Sequence, residues 1–191
     1  TGLRTITGSL RGIEGLHSDL VGRAGEWQQL TTVVQNLRLG RGQIVSIIGE
    51  AGLGKSRLAA ELHAAVQVAS HNSRQLEVRW LEGRCVSFYE SVSYRPMQEL
   101  IGQLIGLQSD DDMAEVWIKL RAAVAAWPLA ETADTSLPYL AHFLGLPLAE
   151  SMQEKMRYLT AEALQRRTFI ALRTLIEMSA KAAPLVLMLD D

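Results

Sequence analysis

The sequence has a single cysteine, Cys85, which excludes a disulfide bond within the chain. A protein without disulfides suits a reducing compartment, so we expect a cytoplasmic location. The sequence also lacks an apolar run as long as a membrane span or the core of a signal peptide. We therefore expect no membrane contact.

Excess charge of either sign is also lacking. Lys and Arg total 19 against 21 for Asp and Glu, a net charge of −2. No basic block forms the electrostatic footprint of a nucleic-acid site, so we expect no nucleic acid to bind this domain. The histidines are scattered and have no metal-ligand partner four residues on. Without a Gly-x-Ser-x-Gly segment, the chain also offers no nucleophile for covalent hydrolysis.

The most informative segment that is present is GEAGLGKS, residues 49–56. It fits G-x-x-x-x-G-K-[ST], the loop that wraps nucleotide phosphates. The preceding residues 43–48, QIVSII, are short, apolar and β-branched and predict a buried strand. The following residues predict a helix with Leu58, Leu62 and Val66 on one face. Strand, glycine loop and helix form the arrangement that phosphate binding requires.

Each residue type in this loop has a chemical reason. Glycines allow successive backbone N–H groups to converge on phosphate oxygens, and the positive end of the helix dipole points to the same place. Lys55 is predicted to reach the β- and γ-phosphates as a catalytic residue, and the Ser56 hydroxyl to ligate Mg²⁺. The predicted phosphate-binding residues are Gly49, Glu50, Ala51, Gly52, Leu53, Gly54, Lys55, Ser56 and Arg57.

A second motif lies at residues 184–191. The apolar run PLVLML predicts a strand buried on both faces, and it leads directly into Asp190 and Asp191. In phosphate-loop enzymes an acid at this place holds Mg²⁺, and a second acid orients the attacking water. Asp190 is therefore predicted to be a metal ligand and Asp191 a catalytic base. A solvated loop acid is an equally open interpretation of Asp191.

The remaining pattern is mostly helical. A helix is predicted from about Ala24 to Leu39, with Trp27, Leu30, Val34 and Leu37 on its apolar face, and a strand is predicted that ends near Gly83. About a hundred helical residues follow, and the acids at 110–112 are expected to face a helix dipole rather than a metal. The predicted helices there begin at Pro96 and after Asp112, and two more run from Ser136 to Gly145 and from Met152 to Lys181. The four tryptophans are expected in the core.

Three segments resemble the ATPase domain of the STAND class, a signal-transduction branch related to the AAA+ ATPases. They are LVGR at residues 20–23, GEAGLGKSR at 49–57 and LVLMLDD at 185–191. The resemblance implies an α/β fold, a three-layer α/β/α P-loop NTPase with a parallel sheet, and the cofactors ATP and Mg²⁺. It also implies that Val21, Gly22 and Arg23 lie against the adenine.

The resemblance carries expectations about domain organisation. Residues 1–19 look like a linker from an upstream domain, and RGIEGL at 11–16 resembles a connector to a class III adenylate/guanylate cyclase. Residues 20–191 would form the ATPase core. In the family a further strand lies between the acidic strand and the phosphate-loop strand. The expectation is therefore a sheet truncated after the acidic strand, with a large helical insertion before it, weak nucleotide binding and little hydrolysis.

Three functions remain open from the sequence. The first is an ATP-dependent switch with slow hydrolysis, whose partners are attached effector domains and a second copy of the chain. The second is a small-molecule or nucleoside kinase, in which Arg166 and Arg167 would bind the second substrate. The third is a nucleotide-responsive interaction module without catalysis. A transporter-type ATPase is disfavoured because no LSGGQ-like segment is present, whereas a GTPase is disfavoured only by the resemblance at residues 20–23.

Overall fold

The computed structural model describes residues 22–72, 77–85 and 94–190. The predicted linker, Val21 and Asp191 lie outside these residues. The helices are α1 (Ala24–Arg38), α2 (Lys55–Asn72), α3 (Arg95–Leu104), α4 (Met113–Ala125), α5 (Ala130–Phe143), α6 (Glu150–Arg157) and α7 (Ala161–Ala182), and the strands are β1 (Arg79–Arg84) and β2 (Leu185–Asp190).

The two strands pair in parallel. Their register runs from Arg79 opposite Leu185 to Arg84 opposite Asp190. Five of the described helices, α3 to α7, lie between them in the chain. Parallel strands require a crossover connection, and here the crossover is this group of helices. The predictions of a parallel sheet and of a long helical stretch before the acidic strand are therefore confirmed.

Two apolar clusters cover β1 from opposite sides. One joins α1 and α2 to Val78 through Leu30, Val34, Leu58, Leu62 and Val66. The other joins Leu81 to the helices that follow, and its members include Leu100, Leu120, Leu140 and Leu175. Burial of each such side chain contributes about 1.5–3 kcal/mol, so the two clusters fix helices on both sides of the strand. The predicted apolar faces of α1 and α2 are confirmed.

The prediction of a buried strand at residues 43–48 is wrong. The structure gives these residues no strand, and the side chains of Ile44 and Ile48 are 98% and 92% exposed. A cavity of about 630 Å³ lies between this segment and β2. Neighbouring strands must lie about 4.8 Å apart to share hydrogen bonds, so an apolar β-branched sequence without an adjacent strand cannot form a ladder.

The prediction that β2 is buried on both faces is also wrong. Leu187 is 38% exposed and Leu189 is 60% exposed. β2 pairs with β1 along one edge, and the cavity lies between β2 and residues 43–48. The apolar run is typical of a strand inside a sheet, but its burial depends on elements packed around it.

Two helix boundaries differ from the predictions. α5 begins at Ala130, six residues before the expected Ser136, and continues through Pro138. The helix expected from Met152 to Lys181 is two helices, because Thr160 starts a new one by accepting a hydrogen bond from the Ala163 N–H at 3.2 Å. Threonine is a favoured N-cap because its oxygen satisfies one of the free N–H groups of the first turn.

The helix starts predicted at Pro96 and Asp112 are confirmed. Pro96 lies in the first turn of α3, where the missing N–H costs nothing. Asp112 accepts from the Glu115 N–H at 2.8 Å, while the Glu115 carboxylate accepts from the Asp112 N–H at 3.0 Å. This capping box explains the acid at residue 112 as a helix-start signal, as the sequence indicated.

Candidate functional site

The glycine loop connects residues 43–48 to α2. Gly52 and Gly54 have φ angles of +82° and +81°, values that a side chain disfavours. Between them, the Leu53 N–H donates to the Glu50 carbonyl at 3.4 Å, and α2 begins directly afterwards at Lys55. The two glycines therefore permit the curled backbone that leads into the N-terminus of α2. The N-terminus of a helix attracts anions.

The Lys55 ammonium lies across this loop. Its Nζ donates to the Gly49 carbonyl at 2.9 Å and to the Glu50 carbonyl at 3.1 Å. These two bonds hold the positive charge against the loop backbone rather than free in solvent. A polyphosphate bound at the loop would consequently meet a localised ammonium group together with the N–H groups of the first turn of α2.

Ser56 and Asp190 lie next to each other although 134 residues separate them in the chain. The Ser56 hydroxyl donates to the Asp190 carboxylate at 3.3 Å. The first turn of α2 supplies the serine, and the carboxyl end of β2 supplies the aspartate. A hydroxyl and a carboxylate are hard oxygen ligands of the kind that Mg²⁺ prefers, so this donor pair fits the metal predicted from the sequence.

Arg23 reaches the loop from the start of α1. One guanidinium nitrogen donates to the Leu53 carbonyl at 2.8 Å, and another donates to Glu26 at 3.0 Å. Gly22, just before it, has a φ of +78° and is exposed. The sequence predicted an adenine contact for these residues and gave no indication of the bond to Leu53. Arg57, also predicted to bind nucleotide, is exposed on α2 and pairs with Glu61 at 3.9 Å.

The remaining predicted loop residues are all exposed: Gly49, Glu50, Ala51, Gly52, Leu53 and Gly54. Gly49, Lys55, Ser56 and Asp190 line the cavity of about 630 Å³ between residues 43–48 and β2. The structure thus brings the loop, the lysine, the serine and the first aspartate to one place. Their roles in binding nucleotide stay predictions.

A polar and aromatic cluster that sequence reasoning missed fixes α2 against β1. The His63 ring stacks on Trp80 with ring centres 4.8 Å apart, and its Nδ1 lies 3.5 Å from the Glu82 carboxylate. Trp80 also donates to that carboxylate at 2.9 Å. His63 lies seven residues after Ser56, two turns along the same face of α2. The cluster therefore sets the position of the helix that carries Ser56.

The arginines considered for a second substrate site lie on α7. Arg167 donates to the Tyr139 hydroxyl at 3.0 Å, and its guanidinium lies 5.9 Å from the centre of that ring. This pair joins α7 to α5, so Arg167 has a structural contact.

Within residues 22–72, 77–85 and 94–190, no group of three or more His, Cys, Asp or Glu residues could hold a metal ion.

Comparison with known families agrees with this geometry. A family model for the AAA ATPase domain matches residues 19–191, and the chain therefore belongs to that family. It is a P-loop α/β domain of the nucleotide-binding type. Comparisons with curated proteins and with solved structures gave no match. Among the helices that the structure describes, none is both long and apolar enough to cross a membrane.

Proposed function

We propose that this AAA ATPase domain is an ATP-dependent switch in signal transduction, in which slow hydrolysis resets the state of attached effector domains. The observation that carries the proposal is the approach of the Ser56 hydroxyl to Asp190 at 3.3 Å beside the glycine loop. A hydroxyl and an acid brought together at a phosphate-binding loop suit Mg²⁺ bound to a nucleoside triphosphate. The match at residues 20–23 favours adenine as the base.

Each residue of the site has a distinct role in this proposal. The loop N–H groups and Lys55 bind the phosphates and stabilise charge on the transferred phosphoryl group. Ser56 and Asp190 would hold Mg²⁺, which supplies charge neutralisation at the phosphate oxygens when bound. Asp191 would orient the attacking water. The adenine would lie against Val21 and Gly22.

The open sheet supports a further part of the proposal. Residues 43–48 and β2 flank a cavity that Val45 and Ile47 line from one side and Val186 and Leu187 from the other. We propose that a further strand of the polypeptide occupies this space, so that residues 20–191 form an incomplete ATPase core. Without this strand, nucleotide binding would be weak and hydrolysis slow, because residues 43–48, which lead into the loop, pair with no strand of the described sheet.

Calorimetry with ATP and Mg²⁺ tests the site. Lys55→Ala is expected to weaken binding by at least about tenfold, since one charge-assisted bond contributes about 1.5–3 kcal/mol. Lys181→Ala, which removes an exposed lysine at the end of α7, is the matched control and should bind as the wild type does. Unchanged affinity in Lys55→Ala would contradict the proposed site.

ATP turnover tests the reaction. We expect turnover without an added acceptor, and a higher rate from a polypeptide about a hundred residues longer at its C-terminus than from residues 1–191. Equal, fast rates from both would refute the incomplete core. A requirement for a small-molecule acceptor would favour the kinase, and binding without turnover in the longer polypeptide would favour the interaction module.

A further inference from the structure

The contact between Arg23 and the glycine loop crosses 30 residues of sequence. The guanidinium group donates through one nitrogen to the Leu53 carbonyl at 2.8 Å and through another to Glu26 at 3.0 Å. Glu26 lies three residues further along α1, so the helix itself supplies the group that holds the arginine in place. A planar guanidinium can serve both acceptors at once because its donors form a rigid fork.

The position of the acceptor matters for phosphate binding. Leu53 lies between Gly52 and Gly54, both of which have positive φ angles. No peptide bond among the described residues is cis, so the Leu53 carbonyl and the Gly54 N–H point in opposite directions from one planar unit. A group that holds the carbonyl on one side therefore turns the Gly54 N–H to the other side.

The cavity lies beside the residues that follow this peptide. Gly49, Lys55 and Ser56 line it, whereas Arg23, Leu53 and Gly54 do not. Arg23 thus holds the loop from outside the space in which the Lys55 ammonium and the Ser56 hydroxyl lie. Because Gly54 has no side chain, the torsion on its side of the Leu53–Gly54 peptide is permissive, and an external bond to the Leu53 carbonyl restricts the orientation of this peptide before a ligand arrives.

We propose that Arg23 is a positioning residue for phosphate binding: by holding the Leu53 carbonyl, it directs the Gly54 N–H toward the phosphates. This differs from the adenine contact that the sequence implied for Arg23. The inference rests on the proposed function, because it needs a polyphosphate at the glycine loop. Arg23 should therefore contribute to the affinity for every ligand that carries the phosphates, whatever base the ligand has.

Two ligands separate the positioning role from an adenine contact. Binding of ATP and of inorganic tripolyphosphate, each with Mg²⁺, is measured by calorimetry for the wild type and for Arg23→Ala. We expect both ligands to weaken by the same factor, on the order of tenfold, since in each case the ligand must then orient the Leu53–Gly54 peptide that the charge-assisted bond from Arg23 otherwise holds. Weaker ATP binding with unchanged tripolyphosphate binding would overturn the proposal.

Three further variants complete the test. Arg23→Lys should recover part of the tripolyphosphate affinity, because an ammonium group can still donate to the Leu53 carbonyl. If Arg23→Lys bound tripolyphosphate no better than Arg23→Ala does, positioning by this bond would be contradicted. Arg173→Ala removes an arginine that pairs with Glu177 at 2.7 Å on the exposed face of α7, and it should leave both affinities unchanged. Equal losses there would show a nonspecific charge effect.

Lys55→Ala distinguishes failure of this inference from failure of the proposed function. If the wild type binds neither ligand, or if Lys55→Ala binds both as the wild type does, the loop is not a phosphate site and both proposals are overturned. If Lys55→Ala loses both ligands while Arg23→Ala loses neither, only the positioning role is wrong. The circular-dichroism spectrum of Arg23→Ala should match that of the wild type.

Discussion

Gly83 is a residue at which a single added methyl group should disturb the sheet. It is buried in β1, opposite Leu189 of β2. A Cβ atom there would lie 2.7 Å from the Pro96 carbonyl oxygen, 3.1 Å from Leu100 and 3.2 Å from Leu189. Ordinary contact begins at 3.4 Å, so the first distance is 0.7 Å too short. The closest atom belongs to the backbone of α3 and cannot rotate away.

Gly83→Ala must therefore move α3 away from β1. Overpacking of this kind costs about 1–3 kcal/mol, and with a urea dependence of about 1–3 kcal/mol per molar the midpoint should fall by on the order of 1 M. The assay is urea unfolding followed by circular dichroism. Because β1 pairs with β2 next to Asp190, ATP affinity should fall as well.

Gly25→Ala is the matched control for Gly83→Ala. Gly25 lies in α1, and apart from its chain neighbours and the nearby backbone of its own helix, no atom lies within 4 Å of the position that its Cβ would take. Alanine is the better helix former there, so this variant should be more stable by about 0.5–1 kcal/mol. If Gly83→Ala unfolded at the urea midpoint of the wild type, the close packing of α3 on β1 would be refuted.

Two other predictions concern the helical part of the chain. Leu140→Ala, at a fully buried site, should lower the free energy of unfolding measured in urea by about 2–5 kcal/mol. Ile118→Ala, at a site 66% exposed, should change it by no more than about 0.5 kcal/mol. Equal effects of the two substitutions would contradict the described core. The hydrogen bond from Lys119 lowers the pKa of Asp111 below its ordinary value of 3.8, and the hydrogen bond from the Gln108 N–H makes a smaller contribution in the same direction. The stability from this carboxylate is present above that value and is lost as the pH falls through the lower folded-state pKa. Asp111→Asn should therefore flatten the dependence of the unfolding free energy on pH in that acidic range, as measured by urea unfolding at several pH values.

The sequence by itself determined the features that depend on a few neighbouring residues. The glycine loop, the start of α2, the proline at the first turn of α3 and the helix start after Asp112 were all predicted. Each follows from backbone conformation or from hydrogen bonds within four residues, so its signal lies in a short segment. The apolar faces of α1 and α2 were equally readable, because helical spacing alone assigns them.

Only the tertiary structure decided features that need a distant partner. Residues 43–48 have the composition of a strand, but a strand exists only when another backbone satisfies its N–H and C=O groups. Likewise, Ser56 and Asp190 were each predicted, while their 3.3 Å separation depends on the packing of α2 over β1 and β2. The bond from Arg23 to Leu53 left no trace in the sequence, because any exposed acceptor could have attracted a long, flexible arginine side chain.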